Sequence, residues 1–491
     1  MKYVLGIDFG GGASKATLLS SDGRVVGTNT VEYKTSYPKA GYCEQDPRDW
    51  YEATKQSIAA LTKKCGVSAD DIECVGLDAA THTAVLIDSD FNVLMPAIHW
   101  TDSRSTKEVA FLKENYGELI YKQVLHAPDT IWTLPQLMWV RDNLPEVWAK
   151  TERIFFAKDF VRHMLTGDYV TDNIEAEGSM LFDYNTNDWS PELCAIIGFD
   201  ISKLPKLVTP DTVVGTVTAK AAAETGLSEG TRVICGTTDT VMEVFAAGGV
   251  SKGDMTLKLA TAGRICVITD RPCPSPYLIN YSHIAKGLYY PGTATKSCAA
   301  SYRWYRDTFG GDYAELDVEA AKLPVGADGL MFHPYLNGEL TPYADPALCG
   351  SFVGIRAGHT KAHFSRAVME GVALSLLDCK NALESERLEH NDFASAIGGG
   401  AKSPIWRQIV SDALGLKLVV NKYSDSSFGT AMLAGVAAGF FADTLAAQKA
   451  CNEVVDQTEP NPENTALYAE IFKKYKAVHD ALAPVYRNFK L

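Results

Sequence analysis

Short runs in which apolar and polar residues alternate dominate the start of the chain, and they predict three successive strands. These strands occupy residues 3–7, 15–19 and 24–28. The first connection is the glycine run 10–12, and the second is the tight hairpin turn 21–23. The pattern therefore predicts an antiparallel β-meander at the amino terminus.

A helix is predicted after this meander, with Asp46 as its N-cap and Pro47 at its first position. Lysines occupy its last turn and Gly66 follows, as is typical of a helix end. Further along, we predict a strand at 72–77, a loop at 78–83, a strand at 84–87 and a helix-rich region at 105–200. Strands thus alternate with helices, which indicates an α/β protein.

The second half of the chain repeats the opening pattern. Residues 254–259 and 264–268 read as strands, and the small residues 260–263 form the turn between them. We interpret the chain as two related domains, 1–247 and 248–491, with the boundary in the glycine-containing stretch 248–253. A chain of 491 residues is long enough for two such domains.

Composition narrows the classes of partner and location. The net charge of −14 argues against nucleic acid or an acidic membrane surface as the main partner. The 11 cysteines include no Cys-x-x-Cys pair, which argues against a zinc site and favours a reducing cytoplasm. The first residues reach a charge too soon for a signal peptide, and the apolar stretch 433–442 is too short to span a bilayer.

The segment 232–240 is the strongest candidate for catalytic chemistry. A β-branched strand passes through a Gly-Thr-Thr turn to Asp239, and a helix is predicted over residues 241–247. A carboxylate at such a corner is well placed to accept a hydrogen bond from a hydroxyl group. The alternative is an ordinary helix N-cap.

The first glycine run, Gly10-Gly11-Gly12, is a candidate phosphate loop. Glycines let backbone N–H groups approach an anion closely, and Lys15 adds a positive charge. Asp8 lies beside this run and could hold Mg²⁺ through water. The alternative is a flexible hairpin loop with a solvated aspartate.

A later glycine run, Gly398-Gly399-Gly400, ends a predicted strand and precedes a helix that Ser403 caps. A helix amino terminus behind a glycine turn favours a nucleotide phosphate. A plain strand-to-helix connection is the alternative.

Two longer motifs identify a resemblance. Residues 350–370 satisfy throughout the carboxy-terminal signature of the FGGY family of carbohydrate kinases, and residues 334–342 resemble the family's proline-tyrosine-leucine-x-glycine-glutamate run. The chain is most similar to the xylulokinase branch of that family. The resemblance covers the chain from Gly6 to about Gly439.

The resemblance implies two actin/hexokinase-like (ribonuclease H-like) domains with an interdomain cleft. It also implies ATP-dependent phosphorylation of a sugar hydroxyl, with ATP and Mg²⁺ as the expected cofactors. The expected partners are therefore a small sugar and ATP, with no nucleic acid and no membrane, and a homodimer is among the candidate assemblies.

Residue by residue, the resemblance assigns the base to Asp239 and the metal to Asp8 and Asp239. It assigns the ATP contacts to Gly10, Gly11, Gly12, Lys15, Thr261, Ala262, Gly263, Gly398, Gly399, Gly400 and Ser403. It assigns the sugar contacts to Thr81, His82, Asp102, Asp239 and Thr240. For His82, a core histidine bonded to the backbone is the alternative.

The chain also departs from the family pattern. Gly11 stands where the first phosphate loop usually has threonine, Ala260 and Ala262 replace glycine and serine in the second loop, and Gln136 replaces a lysine. Ala80-Thr81 and Thr240 replace the glutamine-methionine pair and the asparagine of xylulokinases, which weakens the assignment to xylulose.

The expected substrate is a ketose phosphorylated on a terminal hydroxyl, with D-xylulose giving D-xylulose 5-phosphate as the first candidate. L-Xylulose, D-ribulose, a ketohexose, glycerol or gluconate are alternatives within the same chemistry. Two further alternatives are not sugar kinases: a non-metabolic actin-like ATPase and an inactive sugar-binding relative.

Overall fold

The computed structural model of the protein describes residues 1–488. They form two compact units. The first unit comprises Met1–Ala246, Tyr281–Leu288 and Tyr423–Asn452, and the second comprises Ala247–Asn280, Tyr289–Lys422 and the carboxy-terminal segment from Glu453. Two segments of the second half of the chain therefore belong to the first unit. The domain bounds 1–247 and 248–491 stay a prediction.

The first 246 residues contain most of the first unit. Their strands are β1 (Tyr3–Phe9), β2 (Ala13–Ser20), β3 (Val25–Glu32), β4 (Thr35–Ser36), β5 (Glu44–Gln45), β6 (Ile72–Ala79), β7 (Ala84–Ile87), β8 (Ala97–Ile98), β9 (Arg153–Phe156), β10 (Val170–Asp172), β11 (Phe182–Asp183), β12 (Asp188–Trp189), β13 (Lys206–Val208), β14 (Val213–Thr216), β15 (Arg232–Ile234) and β16 (Thr237–Thr238). Their helices are α1 (Pro47–Cys65), α2 (Thr106–Val124), α3 (Thr133–Asn143), α4 (Pro145–Lys150), α5 (Ala157–Thr166), α6 (Asn173–Gly178), α7 (Pro191–Ile197), α8 (Ala219–Thr225) and α9 (Asp239–Ala246).

The remaining residues complete both units. Their strands are β17 (Met255–Leu259), β18 (Gly263–Val267), β19 (Gly292–Thr295), β20 (Met331–His333), β21 (Ser351–Val353), β22 (Phe393–Ile397), β23 (Lys417–Asn421) and β24 (Val454–Thr458). Their helices are α10 (Ala299–Phe309), α11 (Tyr313–Ala321), α12 (Lys361–Ser385), α13 (Pro404–Leu414), α14 (Ser426–Ala438), α15 (Thr444–Cys451) and α16 (Pro462–Tyr486).

The two units repeat one sheet topology. In the first unit the main sheet has the order β14-β15-β6-β1-β2-β3, and in the second it has the order β24-β23-β22-β17-β18-β19. Each sheet has an antiparallel meander, β1-β2-β3 or β17-β18-β19, followed by two parallel strands and an antiparallel strand at the edge. The repeat that the sequence suggests is present in the strand order of the two sheets.

Most of the predicted elements form at the expected positions. The three opening strands form and are longer than predicted, and α1 begins after Asp46, whose side chain accepts a hydrogen bond from the Arg48 N–H. Gly66 ends this helix in the left-handed conformation, at a φ of 65°. The region 105–200 is helix-rich as expected. These elements depend on local turn and capping chemistry, which the sequence shows directly.

Two predicted boundaries are wrong by two residues, both near Asp239. The strand predicted at 72–77 continues through Asp78 to Ala79, and α9 begins at Asp239 rather than at residue 241. Thr237 and Thr238 are not part of a turn but form β16, which pairs with Asp78 and Ala79 of β6. Pairing with β1 and β16 extends β6 beyond the limit that local pattern suggested.

Both faces of the first sheet are covered. Buried residues are nearly continuous along β1, as expected for a strand with helices on both faces. Residues of α1, including Trp50 and Ile58, belong to the same buried cluster as Leu5 and Ile7. Helix α14 approaches so closely that a Cβ at Gly6 would overlap with backbone atoms of Ser427 and Ala431. In the second unit, α12 contributes Val368 and Leu376 to the core.

Two further observations concern location. No helix among residues 1–488 is both long and apolar enough to cross a membrane. All the cysteines of the chain lie within these residues and are free thiols. The cytoplasmic location stays a prediction.

We predict that Gly6→Ala strongly destabilises the first unit, because its Cβ would meet α14 backbone rather than a movable side chain. Overpacking of this kind costs about 3 kcal/mol, which corresponds to a fall of roughly 6–12 °C in Tm. Thermal unfolding followed by circular dichroism measures it. Gly11→Ala is the control, because a Cβ at Gly11 has no atom within 4 Å. Equal Tm values for the two variants would contradict the close approach of α14.

Candidate active site

The corner that carries Asp239 is built by one glycine and two threonines. Gly236 adopts a φ of 71°, and a Cβ there would overlap with the carbonyl oxygen of Leu77, so the turn requires glycine. After it, β16 pairs with β6, and Asp239 is the first residue of α9. Asp239 is partly exposed although the residues before it are buried. The Thr240 hydroxyl lies 3.3 Å from Asp239 Oδ1.

Asp8 and Asp78 lie beside this corner at the ends of neighbouring strands. They are direct partners in the parallel register of β1 and β6, and Thr237 is the partner of Asp78 on the other side. Burial and the charge of Asp239 raise the pKa of Asp8 to about 7. Burial and the charge of Asp8 raise the pKa of Asp78 well above its ordinary value. Burial and neighbouring negative charge therefore both act against ionisation of Asp8 and Asp78 at this strand end.

Asp78 is a site residue that the sequence analysis missed. The Thr430 hydroxyl donates a hydrogen bond to its Oδ2, whereas Oδ1 of Asp78 and Oδ1 of Asp8 have no hydrogen-bond partner among residues 1–488. A signal was present, because Gly76-Leu77-Asp78 has the same form as Gly6-Ile7-Asp8. Recognising it requires knowing that the two strands are parallel neighbours.

The first glycine turn has free space around Gly11, and side chains that donate hydrogen bonds to its carbonyl oxygens hold it in place. The Tyr33 hydroxyl donates to Gly10 O at 2.6 Å, and the Thr35 hydroxyl and the Gln45 amide donate to Gly11 O at 3.0 Å each. Lys15 forms an ion pair with Asp425 at 2.9 Å. Asp425 is the N-cap of α14, so the lysine is bound to a carboxylate that the sequence analysis did not name.

The loop after β6 carries Thr81 and His82. His82 has a φ of 71°, which is a strained conformation for a residue other than glycine. Its N–H donates to Glu175 Oε1 at 3.1 Å, and its carbonyl oxygen accepts a hydrogen bond from Thr133 at 2.9 Å. The ring Nδ1 lies 2.6 Å from the carbonyl oxygen of Gly178. The backbone contacts of the alternative interpretation are thus present, and a sugar contact stays a prediction.

Asp102, another predicted sugar contact, is buried in an ion pair. Arg104 binds both of its carboxylate oxygens, at 2.9 and 2.7 Å, and the Cys43 N–H donates to Oδ2 at 2.6 Å. The guanidinium of Arg104 also lies over the Tyr42 ring, 3.8 Å from its centroid. In this structure Asp102 fixes the conformation of its own loop.

The predicted nucleotide residues of the second half come together within the second unit. Gly398 has a φ of 90°, and a Cβ there would lie 2.6 Å from Leu259 O and 3.1 Å from Ala260 N. The run 398–400 therefore packs directly against the turn that carries Thr261, Ala262 and Gly263. Thr261 and Ala262 are exposed, and the Thr261 carbonyl oxygen accepts a hydrogen bond from Cys298 N–H next to α10.

Ser403 caps α13 as predicted. Its side chain accepts a hydrogen bond from Trp406 N–H at 3.2 Å and donates one to Asp317 at 2.6 Å. Residues 399–402 form a 3₁₀ turn, so the helix begins at Pro404 and not directly behind the glycines. The nucleotide role of all these residues stays a prediction.

A fully buried charge network supports the Asp239 corner, and the sequence analysis named none of its members. Lys158 forms ion pairs with Asp159 at 2.5 Å and Asp172 at 2.8 Å. Asp172 also accepts a hydrogen bond from Thr237 at 2.7 Å and caps α6. Burial lowers the pKa of Lys158, but the two aspartates outweigh it and hold this pKa above its usual value. Buried charges of this kind are tolerated only when they are paired.

The structure defines a class of protein before any comparison. Two repeated mixed sheets, a buried Asp78 beside the partly exposed Asp8 and Asp239, and glycine turns at strand ends are typical of ATP-dependent phosphotransferases. The chain has strong similarity to one family of that class.

Comparison with known proteins identifies this family. The profile of the FGGY family of carbohydrate kinases, N-terminal domain, matches residues 3–246, and the profile of its C-terminal domain matches residues 233–438. A xylulose kinase of Bacillus subtilis is 31% identical over 98% of this chain and 97% of its own. The chain belongs to the FGGY family of carbohydrate kinases and is a phosphotransferase acting on a carbohydrate, with ATP as its second substrate.

Solved structures give the same result for the fold. A ligand-bound xylulose kinase of Lactobacillus acidophilus has a TM-score of 0.93 and 26% identity, with 100% of both chains covered. A gluconate kinase of the same organism has a TM-score of 0.93 and 27% identity over 100% of both chains. The expected actin/hexokinase-like fold is confirmed. Relatives named for two different sugars match equally well, so the fold alone does not decide the substrate.

Glu177, at the end of α6, is a buried acid close to the His82 loop. Burial raises its pKa to about 8, although hydrogen bonds from Ser282 and Tyr184 oppose the shift. The charge of Asp172 raises it slightly further. In the folded protein Glu177 therefore holds a proton that an unfolded chain, with an ordinary value of 4.5, has lost.

We predict that Glu177→Gln stabilises the protein increasingly as the pH rises from 5 to 8. The folded state binds more protons than the unfolded state in this window, so the Glu177 contribution to stability falls with rising pH, and glutamine removes that loss. The Tm difference between the variant and the parent should grow across the window and level off above it. The exposed Glu229→Gln is the control. A Tm difference that does not vary with pH would contradict the raised pKa.

Proposed function

We propose that the protein is an ATP-dependent ketose kinase that phosphorylates a terminal hydroxyl, with D-xylulose as the first candidate substrate. The observation that supports this most directly is the position of Asp239, a partly exposed carboxylate whose charge acts on the neighbouring Asp8. The similarity to xylulose kinases over nearly the whole chain supports the choice of sugar.

In this proposal Asp239 is the general base. Its carboxylate would orient the attacking hydroxyl and accept the proton late in the transfer, because the transition state of phosphoryl transfer is loose. The sugar oxygen would bond to the γ-phosphorus as the bond from that phosphorus to the β–γ bridging oxygen breaks, which releases ADP. The Thr240 hydroxyl, 3.3 Å from Asp239 Oδ1, would hold the carboxylate in position.

Asp8 and Asp239 would hold Mg²⁺. Two observations support this fit: Asp8 Oδ1 is buried without a hydrogen-bond partner among residues 1–488, and burial together with the charge of Asp239 raises the pKa of Asp8. No cluster of three or more histidine, cysteine or acidic side chains arranged for a metal ion occurs in that part of the chain. One or two carboxylates are what a Mg²⁺ shared with phosphates and water requires. When bound, Mg²⁺ would neutralise charge on the phosphate oxygens.

The remaining predicted residues would bind the two substrates. The open turn at Gly10, Gly11 and Gly12 would offer backbone N–H groups to phosphate oxygens, and Lys15 would contribute once it leaves Asp425. Thr261, Ala262 and Gly263, together with Gly398–Gly400 and Ser403, would also contact ATP. Thr81 and His82 would contact the sugar. Asp102 would act mainly through its loop, since Arg104 and Cys43 occupy its carboxylate.

A gluconate kinase is the second candidate, because a relative of that name matches the fold as well as a xylulose kinase does. The residues that flank the base and His82 are Thr240 and Thr81, which are short side chains. Short side chains leave room for a differently decorated acceptor.

The first test is a panel of D-xylulose, L-xylulose, D-ribulose, a ketohexose, glycerol and gluconate, with ADP release as the readout. We expect the highest kcat/KM for a ketose, D-xylulose first, and loss of activity in excess chelator. A clear preference for gluconate or glycerol with no ketose turned over would contradict the proposal. ADP release that no acceptor stimulates would favour an ATPase.

The second test of the proposed function concerns the general base. Asp239→Asn should lower kcat about 10²–10⁴-fold, the usual cost of removing a general base, while Tm and ATP binding change little. Calorimetric titration with ATP and a thermal melt provide the controls. Turnover within a few-fold of the parent would show that Asp239 is not the base.

A further inference from the structure

The ring of His82 is held in one tautomer by helix α6. Nδ1 lies 2.6 Å from the Gly178 carbonyl oxygen, which can only accept, so Nδ1 carries the proton. The approach depends on the missing side chain, since a Cβ at Gly178 would lie 2.9 Å from Nδ1. In the neutral ring the lone pair is therefore on Nε2.

A tyrosine from a distant part of the chain meets that lone pair. The Tyr281 hydroxyl lies 3.2 Å from His82 Nε2, and the two residues are 199 positions apart in sequence. Trp132 packs its edge against the same ring, with the centroids 4.7 Å apart. Because Nε2 of the neutral ring is an acceptor, the Tyr281 hydroxyl donates.

Glu177 holds Tyr281 in place. Its Oε2 accepts hydrogen bonds from Ser282 N–H and from the Tyr184 hydroxyl, both at 2.8 Å. The segment Tyr281–Leu288 belongs to the first unit, and a hydrogen bond of 2.8 Å from His283 N–H to Leu288 O closes it. Glu177 directly precedes Gly178, so one turn of α6 fixes the ring from Nδ1 and fixes the tyrosine that meets Nε2.

We propose that Tyr281 and Glu177 are positioning residues for His82, and that Tyr281 thereby determines which sugar hydroxyl this histidine recognises. The proposal rests on the proposed function in one respect, the contact between His82 and the sugar. Nε2 has a single lone pair and the Tyr281 hydroxyl already donates to it, so a sugar hydroxyl reaches this pair by donating to the tyrosine oxygen. The position of the tyrosine oxygen then selects the sugars whose hydroxyl fits.

Tyr281→Phe removes the hydroxyl and keeps the ring. We expect the KM for the sugar to rise roughly threefold to tenfold, the usual effect of one lost hydrogen bond, with kcat within about twofold. The KM for ATP should stay unchanged, and the kcat/KM values of competing sugars should move closer together. A merely structural defect would instead reduce the fraction of enzyme that is folded, and would therefore lower the apparent kcat by the same factor with every sugar. Tyr169→Phe is the matched control, because it also removes a tyrosine hydroxyl that forms a hydrogen bond, but to the Lys203 carbonyl oxygen and not to His82.

Variants of Glu177 test the connection. Glu177→Ala removes the acceptor for Ser282 N–H and should reproduce the rise in sugar KM. Glu177→Gln keeps an acceptor oxygen, so its sugar KM should stay close to that of the parent. The double variant Glu177→Ala/Tyr281→Phe should resemble either single variant, because both act through one ring. Multiplied effects in the double variant would overturn the proposal.

Nuclear magnetic resonance of the imidazole nitrogens separates this proposal from the proposed function. The His82 signals, assigned with a His82→Gln variant, should show a protonated Nδ1, and the Nε2 shift should change in Tyr281→Phe but not in Tyr169→Phe. If no sugar of the panel is phosphorylated, the proposed function fails and this measurement decides the positioning role alone. An unchanged Nε2 shift, or an active enzyme whose sugar KM is unchanged in Tyr281→Phe, overturns the proposal.

Discussion

The pairing of β6 with two neighbours is the constraint on which the rest of the first unit depends. On one side, β1 places Asp8 opposite Asp78. On the other side, β16 places Thr237 opposite the same Asp78, and Asp239 follows two positions later. Backbone hydrogen bonds thus hold these carboxyl groups together, although burial and repulsion by the charge of Asp239 raise the pKa of Asp8. Such repulsion is destabilising in the protein alone and favourable for binding a cation, so rigid strands are needed to maintain it.

A second set of contacts joins this strand end to the His82 loop. Asp172 binds Lys158, accepts the Thr237 hydroxyl and caps α6, and the other end of α6 contacts the ring of His82. Because these groups are buried, removing one partner leaves an uncompensated charge, which costs about 3–5 kcal/mol. The candidate base and the candidate sugar contact therefore share one rigid support.

The repeated sheet order explains how the candidate residues are distributed. In each unit the turn after the first strand of the meander, 10–12 or 260–262, lies between antiparallel strands. In the first unit the neighbouring parallel strand, β6, carries Asp78 next to its last residue, whereas in the second unit Gly398 directly follows the corresponding strand, β22, and packs on the turn. At this position of the neighbouring parallel strand the same topology thus places a carboxylate in the first unit and a glycine in the second.

The sequence by itself determined the local elements and the residues whose chemistry depends on neighbours along the chain. Helix α1, the meander β1–β3, the cap of α13 and the position of Asp239 follow from turn, capping and alternation signals that act over a few residues. Motifs of the same local kind carried the family resemblance. The sequence also indicated the glycine turns, because closely spaced glycines can be recognised without knowledge of the fold.

Only the tertiary structure decided which distant groups meet. Asp78 joins Asp8 through strand pairing, Lys15 meets Asp425 from α14, and Tyr281 meets His82 across 199 positions. Which strands become neighbours and which helices pack on them is decided by burial over the whole unit, and patterns over a few residues do not specify it. For the same physical reason the ends of β6 and α9 were predicted two residues short, and the buried charges around Lys158 were not predicted at all.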